Sequence, residues 1–420
     1  MKLVIAEKPS VAMALASVLG ARTRKDGYVE GNGYIVSWCV GHLVGLCDAS
    51  EYDEKYKKWR YEDLPIVPEC WRHKILEGTK KQFGILKKLM RDSKVDEVIC
   101  ATDAGREGEL IFRLVYEQAG CKKPMKRLWI SSMEEQAIKD GFASLKDGSC
   151  YDSLYQSALC RAKADWLVGI NASRLFSVLY NQNLKVGRVQ TPTLAMIVDR
   201  NQKIKEFTKE KYYMAHITFD DMDAVTEHFQ KKEDADKVAA DCAERMCEVE
   251  KDDVKEKTVR PPKLYDLTTL QREANRMFGY TAQQTLDAVQ EMYEQKLVTY
   301  PRTDSQYLTD EMGESTETLI QMLLGKMPYA EGLEYQPDVS KVLNSKKVSD
   351  HHAIIPTVEV AKADIGELKE RNCKILYLIS ARVLTATADP YIYESHKCQI
   401  TCDYHTFYLN AKKTKQEGFK

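Results

Sequence analysis

The chain has 420 residues, of which 44% are apolar and 30% are charged, and its formal net charge is −1. This composition is that of a folded protein of about two to four domains, and it excludes a largely disordered chain. A net charge near zero gives no global attraction for nucleic acid, so any DNA partner has to be held by local basic patches.

Several function classes have no support in the sequence. There is no apolar run of about 18 residues and no signal peptide, so we expect no membrane partner and a cytoplasmic location. The 12 cysteines lack the C-x-x-C spacing of a zinc ribbon, which favours buried apolar roles. The single Gly-Lys pair, Gly325-Lys326, lacks the other residues of a P-loop, so we expect no nucleotide cofactor.

The amino-terminal pattern predicts the start of an α/β sheet. Residues 1–6 predict a strand and residues 11–19 a helix that ends at Gly20. Glu7 and Lys8 lie between them, at the carboxyl end of the strand, which is where open α/β sheets usually bind ligands. Residues 34–40 predict a second strand that leads to His42.

A third predicted strand, 96–101, leads to an acidic segment ahead of a helix at 110–118. Asp103 and Glu107 are four residues apart and share a face if a helical turn begins there. Together with Glu7 they would form an all-oxygen site suited to Mg²⁺. Alternatively, Asp103 caps the helix and Glu107 lies in its first turn. These residues alone leave both interpretations open.

Residues 151–177 predict a helix that carries Arg161, Asp165 and Arg174. The pattern breaks at 184–192, and a second helix follows through residue 200. Gly187 allows close approach of the backbone, and with Lys185 and Arg188 beside it and the free N–H groups of a helix N-terminus nearby, the segment favours a phosphate-binding loop. A solvated charged loop explains the same residues equally well.

The remaining chain predicts strands, turns and charged surface runs over 205–259, followed by a domain joint at 260–262. Two amphipathic helices at 266–277 and 281–295 and a strand at 297–300 give a winged-helix outline, although such helix pairs are also plain packing units. A helix at 373–387 and strands at 391–410 complete the prediction.

The strand at 297–300 ends at Tyr300, and Arg302 follows. A phenol has a pKa of about 10 and is a poor nucleophile unless a cation stabilises its anion. Arg302 could supply that charge and also bind a phosphate, so the pair suggests covalent attack on a phosphodiester. A purely structural tyrosine is the alternative in a chain with 23 tyrosines. His351, in a turn before an apolar run, is by itself best explained as a structural histidine.

Seven stretches together resemble type IA DNA topoisomerases, most closely the bacterial topoisomerase III branch, and they occur in the family's order. They are VIAEKPS (4–10), WCVGHL (38–43), ATDAGREGELIFR (101–113), RAKADWLVGINASR (161–174), VGRVQTPTL (186–194), VTYPRTDSQYL (298–308) and HHAIIPT (351–357). The resemblance implies a multidomain α/β protein with α and winged-helix parts. Its implied domains are a Rossmann-like Toprim domain at 1–150, part of a helical DNA-holding domain at 151–205, an incomplete β-rich arch at 206–260 and 391–420, and a winged-helix domain at 261–390.

The resemblance also implies an activity: ATP-independent, Mg²⁺-dependent cleavage of one DNA strand, strand passage and religation, which relaxes or decatenates underwound DNA. By this resemblance Tyr300 forms a 5′-phosphotyrosine, Arg302 stabilises the charge, and Lys8 with Glu7 assists the departing 3′-oxygen. His351 matches a histidine near the active site, and the implied Mg²⁺ ligands are Glu7, Asp103 and Glu107. The implied DNA-binding residues are His42, Arg161, Asp165, Arg174, Lys185, Val186, Gly187, Arg188, Val189 and Gln190.

The sequence departs from the family pattern in two ways. Gly105 occupies the middle position of an acidic motif that is commonly Asp-x-Asp-x-Glu, which argues against a two-metal scheme. The chain is also shorter than family members, so we expect a fragment or truncated product in which the strands after residue 391 lack partners. The alternatives are therefore a single-stranded-DNA-binding remnant without strand passage, or a Toprim nuclease that needs no tyrosine.

Overall fold

The computed structural model describes residues 1–219, 222–333 and 336–420, which form two compact units. The first unit contains 1–201, 265–305 and 346–376, and the second contains 202–264, 306–345 and 377–420. The chain therefore passes from one unit to the other several times. The domain boundaries given above stay predictions.

The strands and helices have the following bounds. The strands are β1 (Lys2–Ala6), β2 (Thr23–Lys25), β3 (Tyr28–Gly31), β4 (Tyr34–Trp38), β5 (Val44–Leu46), β6 (His73–Ile75), β7 (Glu97–Ala101), β8 (Met125–Arg127), β9 (Lys146–Asp147), β10 (His216–Phe219), β11 (Met222–Val225), β12 (Cys247–Val259), β13 (Tyr391–Cys402) and β14 (His405–Gln416). The helices are α1 (Pro9–Leu19), α2 (Ala49–Tyr52), α3 (Lys80–Arg91), α4 (Arg106–Ala119), α5 (Glu135–Ala143), α6 (Asp152–Tyr180), α7 (Gln190–Lys205), α8 (Lys232–Asp241), α9 (Leu267–Phe278), α10 (Ala282–Glu294), α11 (Gly313–Lys326) and α12 (Glu370–Thr387).

A seven-stranded sheet in the order β2-β3-β4-β1-β7-β8-β9 organises the first unit. Strand β1 is parallel to β4 and β7, and β7 is parallel to β8, whereas the edge strands are antiparallel. The central strands are apolar on both faces because helices cover them. Leu3 and Val98 of the sheet pack with Leu86 of α3, Phe112 of α4 and Tyr155 of α6 in one core.

The predicted strand–turn–helix start is confirmed, and α1 ends at Gly20 in the left-handed conformation with φ +76°. Helix α4, however, begins at Arg106 rather than at residue 110, and its N-cap is Gly105. Asp103 thus precedes the helix. The idea that it shares a helical face with Glu107 and the idea that it caps the helix are both wrong.

The two amphipathic helices before Tyr300 are confirmed as α9 and α10, and Gly279 ends the first of them with φ +71°. The strand expected at 297–300 is wrong. This segment is extended, but only an isolated bridge joins Val298 to Pro356. A ladder does not continue because Pro356 has no N–H to donate and the Thr299 hydroxyl bonds both the Ala353 carbonyl and the Ile355 N–H.

The second unit contains an antiparallel sheet in the order β10-β11-β14-β13-β12. Its core contains Ala224, Ile400 and Phe407 together with Val238 of α8, a helix within the region predicted as strands and turns. The expectation that the strands after residue 391 lack partners is wrong, because β13 pairs along its length with both β12 and β14. Over the described ranges, no helix is both long enough and apolar enough to cross a membrane.

Candidate active site

Two parallel strands bring Glu7 and Asp103 together. Ala6 of β1 pairs with Ala101 of β7, so the residues that follow each strand meet at the same edge of the sheet. The Asp103 N–H donates to Glu7 Oε2 at 3.3 Å. Burial and the Asp103 charge raise the pKa of Glu7 to about 7, and burial also raises the pKa of Asp103. Two neighbouring carboxyl groups are therefore poorly compensated in the absence of a cation.

Tyr300 lies against this pair in the first unit. Its phenolic O–H donates to Asp103 Oδ2 at 3.1 Å, its N–H donates to the Ser131 carbonyl at 3.1 Å, and the residue is 8% exposed. Burial is the largest cause of its raised pKa, and the Asp103 and Glu7 charges add to it. The phenol is consequently a neutral donor here, and ionising it requires added positive charge.

Two cations lie near these groups. Arg302 is exposed, and among the described residues it has no hydrogen bond or ion pair. Its positive charge offsets part of the rise in the pKa values of Tyr300, Glu7 and Asp103. Lys8 precedes α1, and its Nζ lies 3.4 Å from Glu294 Oε1. An unpaired guanidinium beside a phenol is well suited to bind an incoming phosphate.

His351 packs against the nucleophile candidate. Its ring centroid is 4.3 Å from that of Tyr300, and the Ser131 hydroxyl lies 3.0 Å from its Nδ1. Its Nε2 bonds the carbonyl of Ala104, and because a carbonyl only accepts, this nitrogen carries the hydrogen. Burial lowers the pKa of His351 to about 4, so the ring is neutral and positions the tyrosine through packing.

Arg127 holds the Asp103 loop in place, and no sequence pattern singles it out. It is 1% exposed, and its guanidinium donates to the carbonyls of Thr102 and Asp103, each at 2.7 Å. Glu109, equally buried, lies 3.1 Å from its Nε. The only signal would have been a basic residue on a short strand, which elsewhere in this chain marks surface.

Gly108 allows α4 to approach the same loop. A Cβ at this position would lie 2.1 Å from the Asp103 carbonyl oxygen, so only glycine fits. Gly105 is different: its φ of 170° is ordinary extended backbone, and a Cβ there would meet nothing within 4 Å. Its lack of a side chain is therefore not required by the fold.

The structure does not bring Glu107 to Glu7 and Asp103. Glu107 Oε1 lies 2.7 Å from His42 Nε2, and Glu107 Oε2 lies 2.5 Å from Arg161 Nη2. The His42 hydrogen bond is the largest cause of its lowered pKa. Among the described residues no three histidine, cysteine, aspartate or glutamate side chains form a group that could hold a metal ion.

Glu7 and Asp103 nevertheless fit Mg²⁺ by the chemistry of their donors. Carboxylate oxygens are its preferred protein ligands, and this pair carries charge that burial penalises. Mg²⁺ usually binds through one or two carboxylates and keeps several waters, so two ligands are enough to begin a site.

The residues predicted to bind DNA form separate groups. Asp165 and Arg188 make a bidentate ion pair, with distances of 2.6 and 3.1 Å. Arg174 is only 6% exposed and stacks on Trp59 at 5.3 Å; its Nε and Nη1 have no hydrogen-bond partner in the described part of the chain.

The loop that carries the other predicted contacts precedes α7. Lys185, Arg188, Val189 and Gln190 are exposed, while Val186 and Gly187 are half-buried. The Val186 N–H donates to the Ser173 hydroxyl, and the Gly187 N–H donates to the Thr191 hydroxyl at 3.1 Å. The loop is thus held by hydrogen bonds to side chains of α6 and α7, and Lys185 is exposed while Arg188 is paired with Asp165.

Comparison with known proteins identifies the family of this chain. Residues 149–420 match the sequence model of a family described as DNA topoisomerase, and residues 2–133 match that of the Toprim domain, a metal-binding domain. The chain belongs to the type IA DNA topoisomerases. Its fold is an amino-terminal Toprim domain followed by the type IA topoisomerase fold.

The chain is similar to individual topoisomerases but covers only part of each of them. The chain is 41% identical over 429 residues to a DNA topoisomerase 3 of Staphylococcus haemolyticus, and 42% identical over 438 residues to one of Bacillus anthracis. It covers 60% and 59% of those proteins, respectively, so it spans about three-fifths of their length. The structure of full-length topoisomerase I from Thermotoga maritima has the same fold, with a TM-score of 0.72, 24% identity, and coverage of 99% of this chain and 65% of that one.

Proposed function

We propose that this chain contains the strand-cleaving centre of a topoisomerase III-like enzyme, and that it breaks one DNA strand through a covalent bond to Tyr300. The hydrogen bond from Tyr300 to Asp103 is the observation that supports this most strongly. It joins the phenol to a carboxylate that accepts its hydrogen bond, beside Glu7 and within reach of the Arg302 charge.

The proposed step exchanges one phosphodiester for another. The phenolic oxygen attacks phosphorus, an oxygen–phosphorus bond forms, and the bond to the 3′-oxygen breaks with its electron pair. The phenol proton passes to Asp103, and Lys8, with Glu7, supplies a proton to the departing 3′-oxygen. The products are a 5′-phosphotyrosine and a 3′-hydroxyl. Reversal reseals the strand without a nucleotide cofactor, because the phosphodiester energy is kept in the tyrosyl bond.

The surrounding residues stabilise charge and position the phenol. Arg302 stabilises the phenolate and the phosphate, and the neutral His351 ring holds the tyrosine ring in place. Glu7, Asp103 and Glu107 would hold Mg²⁺, which supplies positive charge to the carboxylates and the phosphate. The fit of Glu7 and Asp103 to this ion rests on their adjacent, buried oxygens.

The proposed substrate is single-stranded or underwound DNA. Arg161, Lys185 and Arg188 would bind its phosphates along α6 and the loop before α7, while the buried Arg174 stays beneath Trp59. His42, Asp165, Val186, Gly187, Val189 and Gln190 complete the proposed groove. The proposed location is cytoplasmic.

A second candidate comes from the coverage of the relatives. Because the chain spans about three-fifths of their length, it could bind DNA without passing a second strand. Negatively supercoiled plasmid and Mg²⁺ separate the possibilities. Relaxed topoisomers from the wild-type chain, but not from Tyr300→Phe, support the full activity. Unchanged plasmid supports the DNA-binding remnant, and nicking that survives Tyr300→Phe supports a Toprim nuclease.

A further inference from the structure

Glu107 is held by two residues that are themselves predicted to contact DNA. His42 and Arg161 both bond its carboxylate, one on each oxygen. The three side chains are open to solvent, with exposed fractions of 37% for His42, 35% for Arg161 and 49% for Glu107. A phosphate oxygen can therefore reach the same nitrogens, and it offers the same charge-assisted hydrogen bonds that the carboxylate offers now.

This cluster of His42, Glu107 and Arg161 adjoins the carboxylate pair. Glu107 follows Asp103 by four residues, in the first turn of α4. His42 follows Gly41, whose N–H donates to the Glu7 carbonyl at 3.5 Å. A metal site shared by the three carboxylates therefore requires the Glu107 side chain to turn away from His42 and Arg161.

We infer that Glu107 is a shared residue that couples DNA binding to metal binding: a DNA phosphate displaces it from Arg161 and His42, and it then completes the Mg²⁺ site with Glu7 and Asp103. The inference rests on the proposed function and adds that DNA binding controls the metal site. In the DNA-free chain the third carboxylate is withheld from the metal, and the bound strand releases it.

The energetic cost of this exchange is small because all the groups involved are half-exposed. Ion pairs between exposed side chains contribute little to stability, so a phosphate can replace the carboxylate without a large penalty. Coupling between two ligands is reciprocal, so if a DNA strand tightens Mg²⁺ binding, Mg²⁺ must tighten DNA binding by the same factor.

This reciprocity can be tested by measuring the effect of Mg²⁺ on DNA affinity, which should be the opposite of the usual effect. Added Mg²⁺ normally weakens protein–DNA binding by competing for the phosphates. The affinity for a fluorescein-labelled single-stranded oligonucleotide is measured by anisotropy at matched ionic strength, with MgCl₂ or with NaCl and EDTA. We expect Mg²⁺ to tighten binding to the wild-type chain about fivefold or more.

Three variants identify the residue responsible. Glu107→Gln should bind DNA more tightly than wild type without metal, since Arg161 is no longer paired, and should lose the tightening by Mg²⁺. Arg161→Gln should bind DNA more weakly and also lose the tightening. Arg188→Gln is the matched control, because Arg188 is another exposed arginine paired to one carboxylate. It should weaken binding but keep the tightening.

The outcomes separate this inference from the proposed function. If the wild-type chain binds no single-stranded DNA, both are overturned. If it binds DNA but Mg²⁺ gives no tightening, or if Glu107→Gln keeps the full tightening, the coupling is overturned and the proposed cleavage chemistry is untouched. If only the two cluster variants lose the tightening while Arg188→Gln retains it, the coupling through Glu107 is supported.

Discussion

The phenolic oxygen of Tyr300 lies 3.1 Å from Oδ2 of Asp103, and the two residues are 197 positions apart in the chain. The contact joins the end of a parallel strand to the segment after α10. It links a proposed nucleophile to a proposed metal ligand, so that the protonation of one affects the other. Both residues belong to the same compact unit.

The raised pKa of Glu7 predicts a pH-dependent stability. Its pKa of about 7 in the folded chain exceeds the ordinary value, so its contribution to stability is complete at low pH and is lost as pH rises through about 7. Between about pH 5 and pH 8 the free energy of unfolding should fall by about 2–3 kcal/mol more in wild type than in Glu7→Gln. Urea unfolding of both chains in EDTA measures this difference.

Urea unfolding of the same two chains in Mg²⁺ instead of EDTA is the control for this pH dependence. Mg²⁺ binds the ionised carboxylates, so it should remove most of the extra loss at high pH in wild type and have little effect on Glu7→Gln. Parallel pH profiles for the two chains in EDTA would contradict the proposed burial of a repelling carboxyl pair.

Gly105→Asp should strengthen Mg²⁺ binding. The position is open, its backbone is extended, and it lies next to the loop that carries Asp103, so an aspartate adds a carboxylate without strain. Gly105→Asn is the matched control, because both residues are good N-caps for α4 and should stabilise it similarly, by a few tenths of a kcal/mol over glycine. Isothermal titration with MgCl₂ should show tighter binding for the aspartate variant alone; equal affinities for both would refute the prediction.

Gly108→Ala should displace the Asp103 loop. The new Cβ would overlap a backbone carbonyl that cannot move aside without shifting Asp103, and we expect a loss of about 1–3 kcal/mol in the free energy of unfolding together with weaker Mg²⁺ binding. Gly84→Ala is the control, since Gly84 lies within α3 in open space and alanine there should stabilise by about 0.5–1 kcal/mol. Chemical denaturation of both variants decides the point, and a neutral Gly108→Ala would show that the close approach is not needed.

Much of the first unit follows from simple patterns in the sequence. The central strands β1, β4 and β7 are short apolar runs, and the glycine after α1 marks the end of a helix. The outer strands β2, β3, β8 and β9 have two to four residues each and too little alternation to be recognised. The β-branched segment 297–300 predicts a strand, but its backbone N–H groups donate to carbonyls in separate parts of the chain, and the Thr299 side chain takes the Ile355 N–H that a ladder would use.

The candidate site was only partly accessible from sequence. Residues at the ends of adjacent parallel strands, such as Glu7 and Asp103, can be paired from topology. The position of the Glu107 carboxylate cannot be predicted in this way, because its bonds to His42 and Arg161 depend on how distant parts of the chain pack around a flexible side chain. Arg127 cannot be recognised from the sequence because its burial arises from the fold around it, and nothing in its immediate neighbours Lys126 and Leu128 indicates a buried arginine.

Formation of a covalent protein–DNA adduct tests the central claim most directly. A single-stranded oligonucleotide labelled on the fragment that would carry the 5′-phosphate is incubated with the chain and Mg²⁺, denatured, and resolved by gel electrophoresis. Tyr293→Phe is the matched control, because Tyr293 is also buried and its ring lies 5.4 Å from that of Tyr300. We predict a labelled adduct with wild type and Tyr293→Phe and none with Tyr300→Phe, whose affinity for the oligonucleotide stays close to wild type. An adduct that persists in Tyr300→Phe would contradict the assignment of the nucleophile.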